Sequence, residues 1–217
     1  FFPGDTVFGE KAGATTATGT VNSVSGQTMN ITPNLDLNFR SANPTEDRFY
    51  RNVCYGNGLY VACCDSDADG KKSFIYSSDA INWTMVDGPF PFEVQWSYVA
   101  YGDGVFMAGG LGGSNQGYVA SSPDGINWSQ VQTIVGGCNS LRYVNDRFVF
   151  LNGAQVYQSQ NDGSAPDGIS FVKISDIPTS QITADIAYGN GRYIVSTRYN
   201  DGDPRKKLSF QPSIIKP

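Results

Sequence analysis

The sequence predicts an all-β fold, a four-bladed β-propeller closed by an N-terminal strand and preceded by a small β-ribbon. Three observations carry this. Four segments, "YGNGLYVACC" from Tyr55, "YGDGVFMAGG" from Tyr101, "YVNDRFVFLN" from Tyr143 and "YGNGRYIVST" from Tyr188, restate one hairpin at steps of 46, 42 and 45 residues. A second mark, small-polar residues followed by an Asp turn and an aromatic, ends at Trp83, Trp128 and Phe171, at steps of 45 and 43. Two interleaved marks sharing a period of about 44 residues define a structural repeat of the size of a four-stranded blade. The two ends of the array also match each other, as set out below.

Each element follows from local chemistry. Asn-Gly, Asp-Gly and Asn-Asp at the hairpin tips tolerate the positive φ of primed two-residue turns. Aromatic and small residues alternate on both flanks, as in half-buried strands. The first unit therefore reads as strand a ("RNVCYG"), strand b ("LYVACC"), strand c ("SFIYSS") and strand d ("INWTMV"). At the C-terminus "DPRKKLSFQPS" lines up with "DGKKSFIYSS", so the fourth unit stops after strand c. Near the N-terminus "LDLNF" ends at Phe39, 44 residues before Trp83, and supplies a strand d without a unit of its own. Residues 35 to 40 are thus expected to complete the last blade and remove an exposed edge. The competing reading is an arc of a larger propeller. The two expected domains are residues 1–34, a β-ribbon turning at Ser25-Gly26, and residues 35–217, the propeller.

Composition narrows the function. The chain has 217 residues, 40% hydrophobic and 16% charged, which suits a packed domain and not a disordered one. A net charge of -5 with no basic run speaks against nucleic acid, and no apolar run is long enough to span a bilayer as a helix. The absence of an initiator Met suggests a piece of a longer product. Cys54, Cys63, Cys64 and Cys138 lack zinc-site spacing, and free thiols in a reducing compartment are the expectation.

There is no histidine, which removes His-based triads and imidazole acid/base catalysis. Arg51, Arg142 and Arg192 do not share one repeat position, so no arginine cluster for a substrate carboxylate is expected. A carboxylate pair for glycoside hydrolysis, drawn from Glu46, Asp47 and Glu93, stays open, since spacing in space decides it. "DSDADG" at Asp65 to Gly70 begins like a calcium loop, with Asp65, Asp67 and Asp69 as the ligands. Its ninth and twelfth positions are Ser73 and Tyr76, however, and an acidic, solvated turn is the other reading.

Trp83, Trp128, Phe171 and Phe39 share one repeat position and read as core between blades. Trp96, whose equivalents are Tyr50, Cys138 and Thr183, does not share its identity with them. With Phe90, Phe92, Phe49 and Tyr50 it could form an aromatic platform for a sugar ring or protein partner. Capping of the core is the alternative.

The "SSPDGINW" element resembles the Asp-box of sialidase-type (BNR) repeats, with one residue missing between Asp and Gly. The combined hairpin and Asp-turn pattern resembles repeats of tail-fibre and other virion proteins of tailed bacteriophages. The N-terminal "PGDTVFGEKAGATTATGTVNSVSGQTMNIT" resembles short Gly/Ala/Thr β modules of phage structural proteins. The resemblance implies a non-enzymatic virion protein, displayed on a tail or capsid surface. Its expected partners are other virion proteins, further copies of itself and a host-surface glycan or receptor. A free lectin-like domain and a glycosidase remnant are the alternatives.

Overall fold

The structure, a computed structural model, describes residues 6–11, 14–25, 28–35, 46, 48–113, 116–161, 168–177, 182–198 and 209–215. The chain divides into two compact units, Phe1–Ala42 and Asn43–Pro217.

The first unit holds β1 (Thr6–Lys11), β2 (Ala14–Ser25) and β3 (Thr28–Leu35), paired antiparallel in the order β1-β2-β3. Phe8 lies opposite Thr18, Val21 opposite Ile31 and Ser25 opposite Thr28. Of the strand expected to close the array from residues 35 to 40, Leu35 instead ends β3 opposite Thr18, and residues 36–40 lie outside the described residues.

The second unit repeats one antiparallel meander. The first sheet is β4 (Tyr50–Gly56), β5 (Leu59–Cys64), β6 (Phe74–Ser77) and β7 (Thr84–Val86). The second is β8 (Val94–Gly102), β9 (Val105–Gly112), β10 (Gln116–Ser122) and β11 (Ser129–Val135). The third is β12 (Ser140–Val144), β13 (Arg147–Asn152), β14 (Gln155–Asn161) and β15 (Ile169–Asp176). The fourth shows three strands, β16 (Ile182–Gly189), β17 (Arg192–Arg198) and β18 (Ser209–Ile215).

The hairpin tips have the backbone their residues favour. Asn57 and Gly58, Asp103 and Gly104, Asn145 and Asp146, and Asn190 and Gly191 all have positive φ, from 47° to 79°. The Asp turn is equally regular. Asp79 Oδ1 accepts from the Ile81 and Asn82 amides at 2.8 Å each, and Asp124 Oδ1 accepts from those of Ile126 and Asn127 at the same distance. These bonds take amides that the expected strand d would have used, so β7 begins at Thr84 and not at Ile81.

The sheets pack face to face in chain order, through three apolar layers. Val61, Cys63 and Phe74 of the first sheet meet Trp96, Val99 and Phe106 of the second. Met107 and Val119 meet Leu141, Phe148 and Phe150 of the third, and Val149 and Leu151 meet Ile186 and Tyr193 of the fourth. Trp128 stacks on Phe74 with ring centroids 3.9 Å apart, and Phe171 is buried in the second layer. Trp83, at the same repeat position, is only half-buried and belongs to none of the three clusters.

A steric key joins neighbouring sheets. A Cβ added at Gly56 would overlap the Tyr101 ring, and one at Gly102 would overlap the Tyr143 ring. In the first two sheets the glycine at the end of the first strand is thus the seat for the turn tyrosine of the next sheet. In the third sheet Val144 stands in the glycine's place, and both it and Tyr188 pack against the third layer.

Candidate ligand-binding cleft

The connection from β7 to β8 reads Asp87-Gly88-Pro89-Phe90-Pro91-Phe92-Glu93. Two prolines fix φ in a segment too short to form an element of its own. Ser66 holds its far end: the Ser66 amide donates to the Val94 carbonyl at 3.0 Å, and the Val94 amide donates to Ser66 Oγ at 2.6 Å. Gly70 fits against it from the β5–β6 loop, where a Cβ would strike the Phe90 carbonyl. Clamped in this way, the connection sends Phe90 inward and Phe92 outward.

A cleft of about 660 Å³ opens beside it. Phe92, Glu93 and Gln95 form one wall, and Leu111, Gln116 and Tyr118 of the β9–β10 hairpin form the other. Gly112 and Gly113 complete the lining, and nothing among the described residues lies within 4 Å of a Cβ placed at Gly113. Phe92 is 38% exposed and tilts against Tyr118 at 5.3 Å. The Tyr118 hydroxyl is 3.1 Å from Gln116 Oε1, to which it donates. The floor is rigid because the rings continue inward, Phe92 on Phe90 at 5.4 Å and Phe90 on Trp96 at 6.0 Å. A preformed concavity with one aromatic wall and a few amide and carboxylate groups suits a small polar ligand with an apolar face.

The expected aromatic platform is corrected by burial. Trp96 and Phe90 are core residues, covered by Phe74, Val94 and Tyr118, and cannot stack on a ligand. Tyr50 is half-buried and its hydroxyl donates to the Glu46 carbonyl at 2.9 Å. Phe49 is 84% exposed but does not line the cleft. Of the five, Phe92 alone lines it. Gln95, Leu111, Gln116 and Tyr118 were not expected, and the one local hint of them is the Gly-Gly pair at 112 and 113.

The Asp65–Gly70 loop is an ion-paired turn. Arg51 grips Asp65 with two bonds, Nε to Oδ1 at 2.8 Å and Nη2 to Oδ2 at 2.9 Å. Arg48 donates to Asp67 and also, at 2.9 Å, to the Asp65 carbonyl. Asp69 pairs with Lys71 at 3.2 Å, and hydrogen bonds from Lys71, its amide first, hold the Asp69 carboxyl below its usual range. The three carboxylates expected to share calcium face three different cations, and no cluster of three or more metal-ligating side chains occurs among the described residues.

Among the described residues, the candidate carboxylates Glu46 and Glu93 do not line one site. Glu93 lines the cleft, whereas Glu46 is held by Lys72 at 2.6 Å and Arg48 at 3.2 Å. The Lys72 hydrogen bond is the main reason its carboxyl is held below the usual range. Asp47 lies outside the described residues. Arg51 and Arg142 are each bound to a different aspartate, Asp65 and Asp185.

The described residues form an all-β array of antiparallel sheets, three of them four-stranded, with a candidate ligand cleft at Phe92. No protein-family model and no curated protein sequence matches the chain. Among solved structures it is similar to the Bacillus subtilis arabinanase Arb43A, at 14% identity and a TM-score of 0.47 over 76% of this chain and 70% of that one. It is also similar to a GH43 endo-arabinanase of Bacillus licheniformis, at 15% identity and a TM-score of 0.43 over 72% and 68%. A third likeness is to the β-propeller domain of Cps50 (Swd1) of Myceliophteria thermophila, at 9% identity and a TM-score of 0.43 over 83% and 59%. At TM-scores below 0.5 these likenesses decide neither the number of sheets nor an activity.

Proposed function

We propose that the protein is a non-enzymatic binding module of a bacteriophage virion, with its four sheets as the blades of a β-propeller. The cleft at Phe92 takes a host-surface glycan. The observation that carries the binding role is this cleft, where an exposed ring stands beside Gln95, Gln116 and one carboxylate. A sugar offers C–H groups to an aromatic face and hydroxyls to amides and carboxylates, so the wall chemistry matches in kind. Glu93 has no partner carboxylate among the described lining residues, which leaves it as a hydrogen-bond acceptor and not half of an acid/base pair. The virion setting is supported by the resemblance of the repeats and of the N-terminal segment to phage structural proteins. Weak sites repeated on many copies then give useful avidity.

The test is a screen of the full chain against oligosaccharides by titration calorimetry, with Phe92→Ala and Glu93→Gln beside the parent. Binding weakened by about tenfold in Phe92→Ala, the scale of one lost ring contact of about 1.4 kcal/mol, with no hydrolysis by the parent, supports the reading. Turnover that Glu93→Gln abolishes would replace it with a glycosidase. Recovery of the chain in fixed copy number with purified particles separates a virion part from a free lectin.

A further inference from the structure

Residues 73–141 hold no Lys, Arg or His and five carboxylates, those of Asp79, Asp87, Glu93, Asp103 and Asp124. This stretch supplies every described residue that lines the Phe92 cleft. Ser114 and Asn115, between Gly113 and Gln116, are uncharged as well. The cations that flank the stretch in sequence are engaged elsewhere. Arg48, Arg51, Lys71 and Lys72 pair with Asp67, Asp65, Asp69 and Glu46, and Arg142 pairs with Asp185. Glu93 is exposed and makes no ion pair among the described residues, so the one charged side chain on the described cleft wall is negative and unpartnered.

The hydrogen-bonding groups lean the same way. Tyr118 gives its hydroxyl proton to Gln116 Oε1 at 3.1 Å, which leaves its own oxygen able only to accept. The side-chain donors that remain on the described walls are the amides of Gln95 and Gln116, both neutral. Neutral amides do not offset the cost of taking water from a carboxylate, sulfate or phosphate, for which a charged donor is needed. An ammonium brings three donors and a charge of the opposite sign to Glu93, and the exposed Phe92 ring offers it a π face. We propose that the cleft takes glycans carrying free amino groups, with the ammonium at Glu93, and excludes sugar acids. This rests on the glycan reading of the cleft and adds the class of sugar. Because Glu93 is solvated, the preference is modest, about fivefold at low salt, which is the upper end for an exposed ion pair, and it shrinks as salt screens the charges.

Titration calorimetry of the full chain with three tetrasaccharides of equal length tests this: one of glucosamine units, its fully N-acetylated counterpart, and one of uronic acid units. Mildly acidic, low-salt buffer keeps the amines protonated. The glucosamine tetramer should bind about fivefold tighter than the acetylated one, the uronate should bind more weakly than either, and added salt should narrow the spread. Glu93→Gln, at an exposed position and checked by a thermal melt, should bring the ratio of glucosamine to acetylated tetramer to about one. Phe92→Ala should weaken every tetramer that binds. Equal affinity for the amino and acetylated forms, uronate binding as tight as either, or a ratio that survives Glu93→Gln overturns the proposal. If Phe92→Ala still weakens binding in those cases, the cleft remains a glycan site and only the class of sugar is wrong. If no tetramer binds, the proposal fails, and binding of another oligosaccharide that Phe92→Ala weakens would leave the cleft reading standing without it.

Discussion

Gly102→Ala isolates the steric key. Gly102 is buried at the end of β8 and shows no positive φ, so alanine meets no backbone strain there. What it meets is the Tyr143 ring of the next sheet, which its Cβ would overlap. That ring packs edge-on against Phe148 at 4.9 Å and borders the second apolar layer, so it has little room to retreat. Overpacking of this kind costs about 1–3 kcal/mol. For a chain of this length each kcal/mol lowers Tm by about 2–4 °C, so a fall of about 2–12 °C is expected by calorimetry. Gly189→Ala is the matched control: same repeat position, exposed, with nothing among the described residues within 4 Å of an added Cβ. In dilute solution it should be neutral or stabilising by up to about 1 kcal/mol, because alanine restricts the unfolded chain more than glycine does. The double variant Gly102→Ala/Tyr143→Ala should show a coupling of about 0.5–3 kcal/mol, the second change relieving the first. If Gly102→Ala is as harmless as Gly189→Ala, the key does not exist and the account of how the sheets interlock is wrong.

Further expectations follow from single contacts. Burial works against the charge of Asp124, but hydrogen bonds from Asn127, Ile126 and Ser122 outweigh it and hold its pKa down to about 2. A depressed carboxylate contributes stability that is complete above its unfolded pKa of about 3.9 and is lost as pH falls through about 2. Asp124→Asn should therefore melt below the parent at pH 7 and converge with it near pH 2. Arg142 binds Asp185 with two bonds, at 3.0 and 2.8 Å, tying the third sheet to the fourth. Both are about half-exposed, so Arg142→Ala should cost no more than about 1 kcal/mol, and the loss should shrink in high salt. Burial pushes the Cys54 and Cys138 thiols up to about 12 and Cys64 up to about 11, and it raises Cys63 as well. An aromatic disulfide reagent at pH 8 should label the buried Cys63, Cys64 and Cys138 only as fast as the chain unfolds, with half-buried Cys54 reacting sooner, and rapid labelling of all four in the native protein would contradict that burial.

Much of the array is legible in the sequence because its signals are local. Asn57-Gly58 and Asp103-Gly104 state their own backbone conformation, and Asp79 and Asp124 organise the three residues that follow them. The cleft is a different case. Gln95 and Gln116 come from separate segments, and nothing near either residue announces the other. Trp96 is unusual among its repeat equivalents, which marks it in one dimension as a candidate for function. In three dimensions Phe74 and Phe90 cover it, and its rarity reflects packing against a loop that the other sheets lack. The acidic loop misleads for a similar reason. Its calcium-like spacing is visible, but Arg48 and Arg51, the cations that claim Asp67 and Asp65, lie 14 to 19 residues upstream across a bulged strand pair.

The most direct test of the whole account is a cryo-electron microscopy reconstruction of the virion to which the proposed function assigns the chain. The account predicts the chain on the particle surface, with the Phe92 cleft open to solvent. Particles that lack the chain, or that bury the Phe92 cleft against a neighbour, would contradict it.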